Sequence, residues 1–166
     1  GNALSYLVSF ENIATASGAA QTVSVTDQLD PGKVDLATFS LGAMSFGSYS
    51  VVPPPGKTTY SKILDLRPVS NFLVKLDASL NAASGLVTWR FSTLDPLTGQ
   101  ATNDPLLGFL PPNTIPPGGD GSVSFSVLPL KNSASGTQIC NKASIVFDVN
   151  AAIVTYLRMR LTPAYA

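Results

Sequence analysis

Oxygen-bearing side chains gather in a segment rich in proline and glycine, residues 93–121. Such side chains could bind calcium, a hard cation that takes several carboxylate, amide and backbone oxygens at once. The candidate ligands are Asp95, Asn103, Asp104, Asn113 and Asp120. The alternative is a set of Asx turns, because Asp and Asn beside Pro or Gly commonly accept hydrogen bonds from their own backbone. A second acidic group, Asp27, Asp30 and Asp35, has the same two interpretations.

Exposed aromatic rings could instead bind carbohydrate, because the C–H faces of sugars stack on them while polar neighbours bond the hydroxyls. Four aromatic residues fall in or near predicted loops or polar faces and are the candidate platform: Tyr49, Tyr60, Phe109 and Tyr156. Trp89 differs from them because it alternates in register with Val87 and Phe91 on an apolar face. We expect Trp89 to anchor the core of a β-sandwich.

Residues for catalysis are scarce. The chain has no histidine, which excludes Ser-His-Asp and Cys-His nucleophilic machinery. Glu11 is the only glutamate, and most of the nine aspartates lie in turn contexts, which argues against the carboxylate pair of a glycosidase. Cys140 shares a predicted strand face with Lys142, but a lone cysteine in a strand is usually a small packing residue. We predict no catalytic residues and no enzymatic activity.

Asn141 shares the predicted inward face of its strand with Ile139 and Ala143. A buried amide must find hydrogen-bond partners. A cross-link between lysine and asparagine would need a lysine and a carboxylate buried with Asn141, and the first strand offers no lysine. We therefore interpret Asn141 as a structural hydrogen-bonding residue.

The composition favours one exported domain. With 166 residues and 45% hydrophobic content, the chain is long enough for one core, so we predict a single domain over residues 1–166. Only 12% of the residues are charged and the signs balance, which leaves no excess positive field for nucleic acid or an anionic membrane surface. Low charge with abundant Ser, Thr, Asn and Gly is typical of exported bacterial proteins. We expect an extracellular or cell-surface location without membrane insertion.

The elements that must position these residues are β-strands. Apolar and polar side chains alternate in short runs separated by Pro and Gly, a pattern that indicates half-buried strands and turns. The predicted strands cover residues 4–11, 22–26, 37–41, 45–52, 60–66, 72–78, 86–92, 123–128, 139–150 and 153–161. Residues 27–33 are predicted to form a surface loop. We predict an all-β, two-sheet immunoglobulin-like sandwich of roughly 8–10 strands with one long Pro/Gly/Asp-rich loop.

Three segments carry a resemblance to a known family. Residues 89–99 (WRFSTLDPLTG), 104–113 (DPLLGFLPPN) and 143–150 (ASIVFDVN) resemble an immunoglobulin-like β-sandwich module of large exported bacterial surface proteins. Residues 6–12 and 23–30 resemble the opening of that module, so the likeness covers most of the chain. The resemblance implies a repeat or C-terminal module of mostly unassigned function. It implies no catalytic residues.

Three functions remain open. The first is a non-catalytic structural or adhesive module, whose partners would be other domains of the same protein or other copies of itself. The second is a carbohydrate-binding module for polysaccharide, assisted by Ca²⁺ in the long loop and otherwise without a cofactor. The third is an extracellular fibre subunit assembled by β-strand exchange, for which the apolar strands at residues 2–12 and 153–161 would be suited.

Overall fold

The computed structural model describes residues 2–160, with side chains as far as residue 156. The strands form where the predicted alternation places apolar side chains on one face, as in β1, where every second residue is buried. The strands are β1 Leu4–Glu11, β2 Thr22–Gln28, β3 Val34–Phe46, β4 Tyr49–Val51, β5 Thr59–Asp65, β6 Leu73–Asn81, β7 Leu86–Leu94, β8 Asp120–Pro129, β9 Gln138–Phe147 and β10 Ile153–Arg160.

These strands form two antiparallel sheets. One has four strands in the order β1-β8-β3-β4, and the other has six in the order β10-β9-β2-β7-β6-β5. The inward faces of both sheets contribute to one hydrophobic cluster. The predicted all-β, two-sheet sandwich is confirmed, and the long loop joins β7 of one sheet to β8 of the other.

Aromatic side chains fill the core. Trp89 on β7 is completely buried, which confirms its predicted role as a core anchor. Its ring centroid lies 5.8 Å from that of Phe125 on β8. Phe125 also stacks on Tyr6 of β1, with the centroids 4.8 Å apart. Aromatic pairs at such distances add stabilisation beyond the apolar area they bury, and the Trp89–Phe125 pair joins the two sheets here.

The predicted strand over residues 45–52 is wrong. β3 continues from Val34 to Phe46 with register shifts against β8, and the chain then reverses into the short strand β4. Gly47 forms this reversal with a φ of 52°, a conformation that costs glycine little and other residues more. Large apolar residues interleaved with Ser and Gly continue across the turn (SFGSYSV, residues 45–51), and this continuity concealed the hairpin from the alternation pattern.

The predicted loop over residues 27–33 begins too early. Asp27 belongs to β2 and is 1% exposed, since its side chain follows Val23 and Val25 on the inward face. The strand ends at Gln28, and the turn is formed by the residues after it. Because the loop was predicted to begin at Asp27, the burial of this carboxylic acid in the core was not predicted.

Two sheet edges meet at one side of the sandwich. β1 is an edge strand of the four-stranded sheet and β10 is an edge strand of the six-stranded sheet. Residues of both strands line one small cavity, so the two edges lie side by side. Between residues 2 and 160, no helix is long and apolar enough to cross a membrane.

Candidate functional site

Hydrogen bonds from the sandwich hold the long loop in place. Thr93 at the end of β7 donates from Oγ1 to the carbonyl of Gln21 at 2.9 Å and accepts from the amide of Phe109 at 3.0 Å. The Gln21 side chain donates to the carbonyls of Asp104 and Leu107, at 2.6 Å and 3.0 Å. Thr93, Asp104 and Leu107 are therefore tied to Gln21, which precedes β2, and Phe109 is tied to Thr93.

Glycine lets the loop approach this segment closely. A Cβ atom at Gly108 would lie 2.7 Å from the backbone of Ala19, a distance that side chains do not tolerate. Ala20 and Leu110 then exchange backbone hydrogen bonds as an isolated antiparallel bridge. The close approach at Gly108 thus aligns the bridge that follows it.

Asn113 connects the far end of the loop to β1 and β8. Its side-chain amide donates to Glu11 Oε1 at 2.8 Å and to Asp120 Oδ1 at 3.0 Å. Its carbonyl oxygen accepts from the amide of Gly119 at 3.0 Å. The residue is 8% exposed, and its donors and acceptor are directed at protein groups. Asn113 therefore acts as a structural connector in this conformation.

A polar cleft of about 590 Å³ lies beside the first half of the loop. We call it the loop cleft. It is lined by Arg67, Asn71, Asp95, Pro96, Leu97, Thr98, Gln100, Ala101, Thr102, Asn103, Asp104 and Leu107. Asp95 Oδ1 accepts from the amide of Leu97 at 2.7 Å, and Asp104 Oδ1 accepts from the amide of Leu106 at 2.9 Å. Both are Asx turns, which confirms that interpretation for these two aspartates.

Arg67 contributes a fixed positive charge to the rim of the loop cleft. Its guanidinium donates from Nε and Nη2 to the two oxygens of Asp65, at 2.9 Å and 2.6 Å. Hydrogen bonding to this guanidinium lowers the pKa of Asp65 to about 2. The cleft therefore presents carboxylate, amide and guanidinium groups together, a combination able to hydrogen-bond a neutral polar ligand.

The five predicted calcium ligands do not meet at one point. Asp95, Asn103 and Asp104 line the loop cleft, whereas Asn113 and Asp120 bond each other at the start of β8. In the described part of the chain, no three acidic or cysteine side chains are grouped as a metal site would need. Calcium binding by the loop stays a prediction, and any such site would use one of these two groups.

The predicted aromatic platform is divided as well. Phe109 is 4% exposed and stacks on Phe91 with centroids 5.7 Å apart, so its assignment as a platform residue is corrected to a core position. Tyr49 is half-buried against Phe46, and Tyr60 lies beside a shallow surface depression on the β5–β6 side. Tyr156 is 75% exposed on β10. Their combination into one sugar-binding surface stays a prediction.

A buried acid lies between the two sheets. Asn141 on β9 donates from Nδ2 to Asp27 Oδ2 on β2 at 2.7 Å, which agrees with the structural role predicted for Asn141. Burial raises the pKa of Asp27 to about 7, although the hydrogen bond from Asn141 acts in the opposite direction. Burial, with a smaller contribution from the charge of Asp27, raises the pKa of Tyr6 to about 12.

These three side chains form the inner wall of a cavity of about 60 Å³, which we call the acid pocket. Its lining residues are Tyr6, Leu7, Val8, Asp27, Asn141, Ala143, Thr155 and Tyr156. Among the residues whose side chains are described, the lining contains no lysine that could form a cross-link with Asn141. The sequence reasoning missed Asp27 as part of this site. The available signal was its two-residue spacing from Val23 and Val25, which places the three side chains on one face.

Comparison with known proteins gives a partial family match. Residues 108–159 match the model of a family described as a domain of unknown function (DUF7619). Among solved structures, the chain is similar to the collagen-binding domain from a Staphylococcus aureus adhesin, with 11% identity, coverage of 95% of this chain and 87% of that chain, and a TM-score of 0.48. No curated protein matches the chain.

Proposed function

We propose that the chain is a non-catalytic structural or adhesive module of an exported bacterial multidomain or cell-surface protein. The observation that carries this proposal is how the polar side chains of the long loop are used. Thr93 and Asn113 are directed at protein groups and hold the loop on the sandwich. Asp95 and Asp104 close turns with their own backbone. Because these side chains are hydrogen-bonded within the protein, the loop forms a rigid surface.

The loop cleft supports the adhesive form of the proposal. A binding surface gains affinity when its groups are already fixed in the free protein, because less conformational entropy is lost on binding. Arg67 and Asp95 both line the cleft; Arg67 is held by Asp65, and Asp95 is held by its turn. The cleft is therefore the surface where we place contact with a partner macromolecule.

The test is a binding screen combined with a turnover screen. The purified chain is applied to arrays of polysaccharides and extracellular matrix proteins, and to other segments of its parent protein. In parallel it is incubated with ester, glycoside and peptide substrates. We expect no turnover, and we expect any array binding to be weakened by Arg67→Ala but not by Lys131→Ala, which alters a distant loop. Turnover that is lost with one aspartate substitution would overturn the proposal.

A second candidate, the fibre subunit, is favoured by the position of β10. This strand pairs with β9 alone among the described strands and leaves its other edge open. Ile153, Val154 and Tyr156 on it are 56%, 41% and 75% exposed. An exposed apolar edge strand is a template for pairing with another chain, and a second copy of this chain would be its partner.

Light scattering tests the fibre candidate. A fibre subunit forms large assemblies that Val154→Lys disrupts, because a charge on an edge strand opposes pairing. Leu97→Lys is the matched control, since Leu97 is exposed in the long loop and away from the edge. Removing residues 2–12 and supplying them as a peptide should also give single subunits. A monomeric wild-type chain at all concentrations would exclude this candidate.

A further inference from the structure

The acid pocket has an apolar mouth and a polar inner wall. Leu7 on β1 and Tyr156 on β10 are 65% and 75% exposed at the surface. Tyr6, Asp27 and Asn141 are 3%, 1% and 5% exposed on the inside. The cavity thus lies in the seam between the two sheet edges, with buried oxygen atoms behind exposed hydrophobic side chains.

Two of these oxygen atoms lack a hydrogen-bond partner among the described residues. They are Tyr6 Oη and Asp27 Oδ1. Asn141 already occupies the other carboxyl oxygen of Asp27. Buried polar atoms are normally satisfied, and each unsatisfied one costs about 1–3 kcal/mol. A ligand with N–H donors would find two acceptors directed at the same small cavity.

The described residues of the pocket include no cation that would balance its acid. Its described lining contains neither lysine nor arginine. At the mouth, the exposed side chain of Lys142 places its Nζ 5.8 Å from the ring centroid of Tyr156. A buried carboxylate without a counter-charge is costly. A positively charged group entering from outside would therefore be favoured electrostatically.

The size of the pocket restricts that group. A volume of about 60 Å³ accommodates about two water-sized groups, since each water occupies about 30 Å³ in the liquid. A primary ammonium with its first methylene group meets this limit. Val8 and Ala143 offer apolar walls to the methylene group, and the exposed ring of Tyr156 lies at the entrance, where it can contact a cation.

We propose that the acid pocket binds a primary alkylammonium group, which donates hydrogen bonds to Asp27 Oδ1 and Tyr6 Oη. Two sources share this chemistry, a lysine side chain of a partner protein and a free polyamine. The proposal concerns a different place from the loop cleft and is independent of the function proposed there. Because the ligand is a cation, its binding should strengthen as Asp27 loses its proton.

The test is a titration of the full chain with n-butylammonium, followed by NMR of the Tyr6 ring and the Asp27 carboxyl carbon. We expect saturable shifts of both signals, and at least tenfold weaker binding in Asp27→Asn. Asp30→Asn is the matched control, because it removes one negative charge from an exposed turn residue. Tetramethylammonium, which has no N–H donor, should give no saturable shift. Equal binding by the wild type, Asp27→Asn and Asp30→Asn would overturn the proposal, as would the absence of saturable shifts.

Tyr6→Phe provides a second test that keeps the ring in the core. It removes only Oη, so we expect a folded protein with weaker n-butylammonium binding. Unchanged binding would contradict the assigned contact. Titration with spermidine and with a capped lysine peptide separates the two sources. Tighter binding of the peptide would support a partner lysine, and tighter binding of spermidine would support a free polyamine.

Discussion

Asn141 and Asp27 are a buried, hydrogen-bonded pair on neighbouring strands. The side-chain amide of Asn141 donates a 2.7 Å hydrogen bond to the carboxyl group of Asp27. The two residues lie on β9 and β2, which are adjacent in the six-stranded sheet. A single hydrogen bond inside a sheet would add little. Here it supports the one acid that the described core contains, so the pair links the stability of the fold to pH.

The first prediction concerns this link. Because burial raises the pKa of Asp27 from its ordinary value to about 7, the folded protein keeps a proton that the unfolded chain releases. The contribution of Asp27 to the free energy of unfolding should therefore be fully present at about pH 4 and be lost as the pH rises to 7. The slope is at most about 1.4 kcal/mol per pH unit from one group. Urea denaturation at a series of pH values measures it.

Asp27→Asn should remove this slope, because the asparagine has no proton to lose. Asp30→Asn should retain it, since Asp30 is exposed. Histidine is the side chain that ordinarily titrates between pH 5 and 8. Because the chain has no histidine, a change in stability over this pH range can be assigned to Asp27. A wild-type stability that rises from pH 5 to 7 would contradict the prediction.

The second prediction concerns the pair itself. Asn141→Leu removes the hydrogen bond and leaves a buried carboxyl without a donor, which should cost about 1–3 kcal/mol. Replacing both residues with leucine should cost less than the sum of the two single changes, because no polar group is then left unpaired. Equilibrium unfolding of the four proteins gives the coupling. Asn71→Leu, at an exposed position, is the control, and additive effects would show that the pair is not coupled.

Strand alternation predicted most of the fold because one face of each strand is buried and the other meets solvent. It placed Trp89 and Asn141 inward, and both are buried. It failed where the pattern did not change at a boundary. Gly47 begins a turn inside a run in which large apolar residues are interleaved with serine, and Asp27 looked like the start of a polar loop although it continues an inward face. In these two cases the local sequence does not indicate where the strand ends.

The candidate site was less predictable, because it depends on contacts between distant segments. The sequence indicated the long loop, but its path is fixed by Thr93, Gln21 and Asn113, whose partners are far away along the chain. Phe109 is buried because this path folds the loop over β7. The acid pocket needs β1, β2, β9 and β10 at one place, and sequence patterning does not give the order of strands.

The third prediction concerns the connection of the loop. Asn113→Ala removes three side-chain hydrogen bonds and leaves the buried amide of Gly119 without its acceptor. We expect a loss of about 1–3 kcal/mol in unfolding free energy and faster proteolytic cleavage between residues 93 and 121. Asn103→Ala should change neither, because Asn103 is exposed. Equal cleavage rates for the two variants would show that Asn113 does not hold the loop.

The fourth prediction concerns calcium. Asp95 and Asp120 belong to different places, the loop cleft and the contact with Asn113. We therefore expect that no single calcium site depends on both aspartates. Calorimetric titration of calcium into the wild type, Asp95→Asn and Asp120→Asn tests this. If both variants lost the same binding event, the two groups would have to meet in one site.

The fifth prediction separates the two roles considered for Phe109. Its ring contacts Phe46 and Phe91 in the core, with centroids 5.3 Å and 5.7 Å away. Phe109→Ala should therefore lower the free energy of unfolding by about 3–5 kcal/mol. Leu106→Ala is the matched control in the same loop, since Leu106 is 87% exposed and should change stability by less than about 0.5 kcal/mol. Thermal and urea unfolding measure both. A sugar-binding platform predicts the reverse pattern, in which Phe109→Ala keeps full stability and loses binding on a glycan array.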